Sequence, residues 1–222
     1  WFYTIYNGID FTPPPTQGDR LEYLRSLGAD VDENSVVVGI AARMNPVKDM
    51  ATLVRGFAAG YAKCPRLRLL IAGDGPEKDK LTALAAELGV ERQVCFAGWI
   101  SGGMDRFYSA LDINALTSLS ETFPYALTEG ARFHLATVST AVGGIPYLID
   151  HGVNGYLFEP NNAQDLAKKL EAVLSLPAAE REQMGRESRR IVGFHSAENT
   201  WRTFEELYVS DAPYERYLAS RR

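Results

Sequence analysis

Apolar and polar positions along the 222-residue chain follow two periods that take turns. Short, continuous apolar runs occupy 36–42, 67–72, 94–98, 113–116, 137–142 and 155–158. The first is Val-Val-Val-Gly-Ile-Ala-Ala, and runs of this kind suit strands buried on both faces of a parallel sheet. Between them the period lengthens to that of a helix. Residues 49–64 carry Leu53, Val54, Phe57 and Tyr61 at helical spacing. Residues 76–88 open on Pro76 and end before Gly89, the usual helix asymmetry. Residues 104–111 make a shorter helix. Beyond the last strand the chain reads as helical: 162–176 opens on an Asn cap and aligns Leu166, Leu170, Val173 and Leu174, and 179–192 and 196–209 follow. Strands alternating with helices at this spacing predict right-handed βαβ units. The expected fold is α/β, a doubly wound six-stranded parallel sheet with helices on both faces.

The beginning reads differently. Residues 1–6, Trp-Phe-Tyr-Thr-Ile-Tyr, look like a strand already under way and carry no initiator Met. This predicts a piece cut from a longer protein. Asn7-Gly8-Ile9-Asp10 reads as a turn, Pro13, Pro14 and Pro15 as a stiff connector, and 20–27 as a short helix closed by Gly28.

One stretch, 118–134, organises the rest. It follows the fourth apolar run and reads as loop into helix. Ser118, Ser120 and Thr122 can each cap a helix start, and Pro124 suits a first turn. The amide groups of such a start favour an anion. Glu121 and Glu129 lie eight positions apart. Glu121 is expected in the loop and Glu129 two turns into the helix, both toward a crevice at the end of the sheet, where open α/β folds bind ligands.

Three further constellations leave strand ends. Arg43 and Lys48 are separated by four residues on the loop after the first strand. Two cations there suit a diphosphate, Arg through two oxygens at once; a pair of surface cations would read the same. Gly73-Asp74-Gly75-Pro76 lacks the third glycine of a dinucleotide fingerprint and reads first as a tight turn, with Gly73 and Gly75 still able to border a ligand. Gly143 and Gly144 allow backbone to come close to a ligand or simply turn sharply. Trp99 and Ile100 either flank a base or pack in the core.

Composition narrows the classes. At 46% hydrophobic and 23% charged, the chain is an ordinary globular protein. A formal charge of −5 with no basic face argues against nucleic acid. The cluster Arg186, Arg189, Arg190 is balanced by Glu180, Glu182 and Glu187 and reads as a solvated helix face. Cys64 and Cys95 form no Cys-x-x-Cys pair, which favours a reducing, cytoplasmic setting. His134, His151 and His195 show no metal-ligand spacing, and no Asp-x-Asp occurs, so no metal site is expected. No apolar run reaches about eighteen residues and no signal peptide is seen. A Gly-x-x-x-x-Gly-Lys-Ser/Thr loop is also missing.

Taken together, these residues resemble the C-terminal, donor-binding domain of the GT-B glycosyltransferases, specifically family 4, the group 1 family. The resemblance runs through Asn7-Gly8-Ile9-Asp10, Arg43 and Lys48, Ala72-Gly73-Asp74-Gly75-Pro76, Phe96-Ala97-Gly98, the Glu-x₇-Glu pair Glu121 and Glu129, Gly143-Gly144-Ile145-Pro146 and Gly152-Val153-Asn154-Gly155. It implies a Rossmann-like half-domain followed by C-terminal helices. It implies that Arg43 and Lys48 clamp the diphosphate of a nucleoside-diphosphate sugar and offset charge on the leaving group. Glu121 would lie by the sugar and Glu129 on the ribose hydroxyls. The backbone of Thr122, Phe123, Pro124 and Tyr125 would meet sugar and phosphate. Transfer in such enzymes retains anomeric configuration and needs no metal or other cofactor. A UDP-sugar is favoured, with GDP- and ADP-sugars left open. The acceptor domain would be an N-terminal half outside this chain, with peripheral membrane contact of the parent left open. The fragment alone is then expected to bind donor without efficient transfer. The residues 213–222 resemble a closing helix that returns to that half.

The chain departs from the family pattern in one region. His134-Leu135-Ala136 stands where Gly-x-Pro is usual, Ala141 where Asp is common, and Tyr147 where Glu often follows the glycine pair. These departures are expected around the sugar end of the site. They keep two other readings open, a non-catalytic nucleotide-sugar-binding module and a GT-B epimerase domain. A phosphorylase would need a lysine for pyridoxal phosphate in a recognisable context, and a nicotinamide dehydrogenase would need the third glycine.

Overall fold

The computed structural model describes residue 5, residues 7–12 and residues 18–209. The rest of the expected first strand, the proline connector and the closing helix lie outside the described residues. After a short first helix, α1 (Arg20–Ser26), strands and helices alternate. The order is β1 (Val36–Ala41), α2 (Met50–Tyr61), β2 (Leu67–Ala72), α3 (Lys78–Glu87), β3 (Val94–Gly98), α4 (Met104–Ser109), β4 (Ile113–Leu116), α5 (Tyr125–Arg132), β5 (Ala136–Thr140) and β6 (Gly155–Phe158). Among the described residues three helices follow, α6 (Ala163–Ser175), α7 (Ala178–Val192) and α8 (Ala197–Val209).

The six strands form one sheet in the order β3-β2-β1-β4-β5-β6. Every pairing is parallel. This is the doubly wound sheet that the apolar runs predict. Its strands feed two faces at period two. Val38 and Ile40 of β1 and Leu67, Leu69 and Ile71 of β2 join α2, α3 and α6 in the larger core. Val37, Leu70 and Ala72 point the other way, to α1 and α4. A third cluster joins Leu116 of β4 to Leu127 and Ala131 of α5 and Val192 of α7. Burial on both faces is why these strands read as continuous apolar runs.

Helix starts follow the sequence where a polar cap is present. Asp49 (φ +43°) accepts from the Thr52 amide, and Asn162 accepts from the Asp165 amide. The start of α5 differs. Pro124 occupies the cap position with no side-chain cap bond. Ser118, Ser120 and Thr122 stand too far upstream, in the loop, and Glu129 is therefore about one turn into the helix, not two.

Three helices end in the same two-bond motif. In α1 and α3 the left-handed residue after the cap is glycine, Gly28 (φ +89°) and Gly89 (φ +69°). In α5 it is His134, at φ +58°. Its amide donates to Ala131 and the Leu135 amide to Gly130, the paired bonds of a Schellman ending. His134 is thus the residue that replaces the family's glycine, and it carries a Cβ into a conformation that costs roughly 1–2 kcal/mol. Its imidazole is exposed. His134→Gly is expected to stabilise the fold by about 0.5–1 kcal/mol, since glycine's extra chain entropy returns part of the strain. Thermal unfolding should show a Tm rise of roughly 1–4 °C; an unchanged or lower Tm would mean the position is unstrained.

Candidate functional site

In the sheet order the winding reverses between β1 and β4. Open α/β folds bind ligands beyond the carboxyl ends of the strands at such a reversal. Arg43 and Lys48 stand on the first loop, Glu121 on the second. The two loops are laced together. The Thr117 hydroxyl donates to the Lys48 carbonyl at 2.7 Å and the Leu119 amide to the Val47 carbonyl at 2.8 Å. Across them Lys48 Nζ meets Glu121 Oε1 at 2.5 Å, with 26% and 11% of the two side chains exposed. Ser118 Oγ donates to the same carboxylate oxygen at 2.7 Å. Oε1 of Glu121 is thus held by two donors, and Oε2 has no donor among the described residues.

The loop after β5 closes the other side. Gly144 N donates to the Glu121 carbonyl at 3.2 Å, and Thr140 Oγ1 to the Ser118 carbonyl at 2.7 Å. A Cβ on Gly143 would overlap the Glu121 carbonyl oxygen, and one on Gly144 that of Thr122. The glycine pair therefore seats one loop against the other, and the backbone it approaches is that of the Glu121 loop. Gly73 and Gly75 do the same on the far side of β1. A Cβ on either would overlap the carbonyls of Ala42 and Met44, and the Met44 amide donates to Asp74 at 2.9 Å. This is the tight turn, placed at the rim of the crevice.

Arg43 is exposed, and its guanidinium has no ion-pair or hydrogen-bond partner among the described residues. With Lys48 neutralised by Glu121, Arg43 is the unpaired cation of this loop. Trp99 follows β3 and is 77% exposed, whereas Ile100 packs against the α1–α4 core. Thr122 is exposed, Tyr125 is 50% exposed, and Phe123 and Pro124 are buried. Phe123 turns its ring into the third cluster, edge-on to His195 at 5.3 Å.

Glu129 is set by how α5 lies on β4. Asn114, fully buried in β4, donates from Nδ2 to the Ala126 carbonyl at 2.9 Å. Gly130 leaves room for that amide; a Cβ there would strike it. Glu129, next in sequence, turns toward α4, where it accepts from the Tyr108 hydroxyl at 2.8 Å. Burial raises the Glu129 pKa above its ordinary 4.5; the Tyr108 bond opposes this, Asp105 adds to it and Arg132 opposes it.

A family model, that of the glycosyl transferases group 1, matches residues 26–191. The chain belongs to this family. A D-inositol 3-phosphate glycosyltransferase of Mycobacterium sp. strain KMS is 35% identical over 77% of this chain and 39% of its own length. The chain thus spans about two-fifths of such curated relatives. HepE of Anabaena, solved in complex with UDP and glucose, superposes with a TM-score of 0.81 at 25% identity, over 92% of this chain and 56% of its own. The C-terminal domain of LpcC, a group 1 protein of Francisella tularensis, shares the fold with a TM-score of 0.73 at 23% identity, and 97% of that domain is covered.

Placed on this group 1 chain, the departures separate. Ala141 and Tyr147 follow the carboxyl end of β5. His134 and Ala136 do not; Ala136 pairs with Ile113 at the start of β4, so they lie at the amino edge, opposite the crevice. The expectation that all of them surround one end of the site fails, because α5 runs back across the sheet before β5 begins. Sequence reading also passed over Tyr108, whose only signal was a phenol on an apolar helix face, where a buried hydroxyl needs a partner.

Glu129 carries a linkage consequence. Its folded pKa is raised, so the native state keeps this proton to higher pH than the unfolded chain. That stability is present below the ordinary carboxylate value and lost as pH rises through the folded value. Glu129→Gln, neutral throughout, is expected to raise Tm at pH 7, with the gain shrinking toward pH 4. A gain that does not depend on pH would show that charge burial is not the cause.

Proposed function

We propose that the chain is the donor-binding half of a glycosyltransferase that takes a sugar from a nucleoside-diphosphate sugar. One observation carries this: at the point where the sheet reverses, a group 1 chain holds a fixed Lys48–Glu121 pair on a loop that also carries the exposed Arg43. A diphosphate laid across that loop would meet Arg43 through two oxygens and Lys48 through the N–H groups that Glu121 leaves open. Both cations would offset charge as the nucleoside diphosphate departs. Glu121, with Oε2 open, would stand by the sugar. The amides at the start of α5 would help hold phosphate or sugar. Glu129 would accept from the ribose hydroxyls, and the exposed Trp99 would flank the base, with Ile100 packed behind it.

HepE, solved with UDP-glucose, supports a nucleotide sugar as ligand and favours uracil here. In this reading transfer retains anomeric configuration without a metal. The acceptor binds to a preceding domain of the parent protein, and the closed cleft needs both halves. The unpaired thiols of Cys64 and Cys95 fit a reducing, cytoplasmic setting.

Calorimetric titration of the chain with UDP, GDP and ADP tests this. One diphosphate is expected to bind in preference to its nucleoside. Arg43→Ala should weaken that diphosphate by about 10- to 100-fold, the worth of hydrogen bonds to a charged group. It should leave nucleoside binding and Tm unchanged, because the side chain is exposed and unpaired. Equal loss for nucleoside and diphosphate, or no loss, would place the phosphates elsewhere.

A further inference from the structure

We infer that Tyr108 is a positioning residue for nucleotide recognition, holding the Glu129 carboxylate in the one orientation in which its second oxygen is left for a pair of ligand hydroxyls. The inference rests on the reading of Glu129 as the ribose contact.

Tyr108 is 1% exposed. Its ring is wedged edge-on to Phe107 at 5.2 Å and stacked with Phe133 at 5.9 Å. Such a ring has no freedom to swing, so its hydroxyl is a fixed point. That hydroxyl donates to Glu129 Oε2 at 2.8 Å, joining α4 to α5. Burial and the neighbouring carboxylate hold the phenol well above its usual pKa, so it stays protonated and donates.

No other group performs this task. Arg132, the nearest cation on α5, is spent elsewhere. It grips Asp105 through two nitrogens at 2.7 and 3.3 Å and donates to the Thr12 carbonyl at 2.9 Å. Among the described residues, Tyr108 is the donor to Glu129, and Oε1 of Glu129 has none. A glutamate has three side-chain torsions and loses rotamer freedom when it binds a ligand. A carboxylate already pinned at one oxygen presents the other without that cost, which is preorganisation of a hydrogen-bond acceptor. The same bond favours the ionised form, against burial and against Asp105 of α4, with Arg132 of α5 on its side.

The test compares UDP with 2′,3′-dideoxyuridine 5′-diphosphate by calorimetry on the 222-residue chain, repeated with the guanine and adenine pairs if uracil does not bind. The wild type should prefer the ribonucleotide. Glu129→Gln should erase most of that preference. Tyr108→Phe, which removes only the hydroxyl, should cut the preference by about tenfold and leave dideoxynucleotide affinity unchanged. In Tyr108→Phe the preference should also fade at a higher pH than in the wild type, because a contact that favours the ionised carboxylate is gone. If Tyr108→Phe weakens both nucleotides equally, or lowers Tm while sparing the preference, Tyr108 is structural and the inference is overturned. If Glu129→Gln spares the preference, or no nucleotide binds, the reading of the site fails first and takes the inference with it.

Discussion

The contact on which the crevice depends is the ion pair between Lys48 and Glu121. A doubly wound sheet must have one place where neighbouring strands send their helices to opposite faces, and here it lies between β1 and β4. The loops that leave those two strands meet across that place. A mostly buried carboxylate is costly unless it is paired and hydrogen-bonded. Glu121 meets both demands, with Lys48 and Ser118 on one oxygen. Removing either charge would leave the other uncompensated at the point where two loops meet. The pairing also sorts the cations: it cancels one and leaves Arg43 facing solvent.

The fold was legible because burial on both faces writes itself into sequence as uninterrupted apolar runs. Residues 67–72 and 113–116 match β2 and β4 to the residue. The fifth strand was placed slightly late, because Ala141 and Val142 continue the apolar run after they have left the sheet. The cap of α6 was legible because one polar side chain, Asn162, settles it. The start of α5 was not. Three candidate caps precede it, and the loop uses Ser118 for Glu121 and Thr117 for Lys48 instead. A hydroxyl that serves a neighbouring loop looks in sequence like one that serves its own helix.

The same limit applies to the glycine pair and to His134. Gly143 and Gly144 announce a close approach but not what is approached; the partner is the backbone of Glu121 and Thr122, some twenty residues upstream. His134 departs from the family's glycine and so looked like a site residue. The fold shows a helix ending at the opposite edge of the sheet. Spacing along the chain orders motifs but does not say which edge each one reaches.

The loops beyond the strand ends repeat the order of the strands beneath them. Gly73 N reaches the carbonyl of Gly98, Met44 N that of Asp74, Leu119 N that of Val47, and Gly144 N that of Glu121. These four bonds step from the β3 loop across to the β5 loop, one to each gap, as a further rung laid over the sheet. Their amides sit in segments without regular structure, yet each is occupied. In hydrogen exchange this rim would therefore resemble the sheet more than a set of loops, with its four amides protected together. The carboxyl edge of the sheet is thus floored by backbone already annealed, with the side chains standing on it.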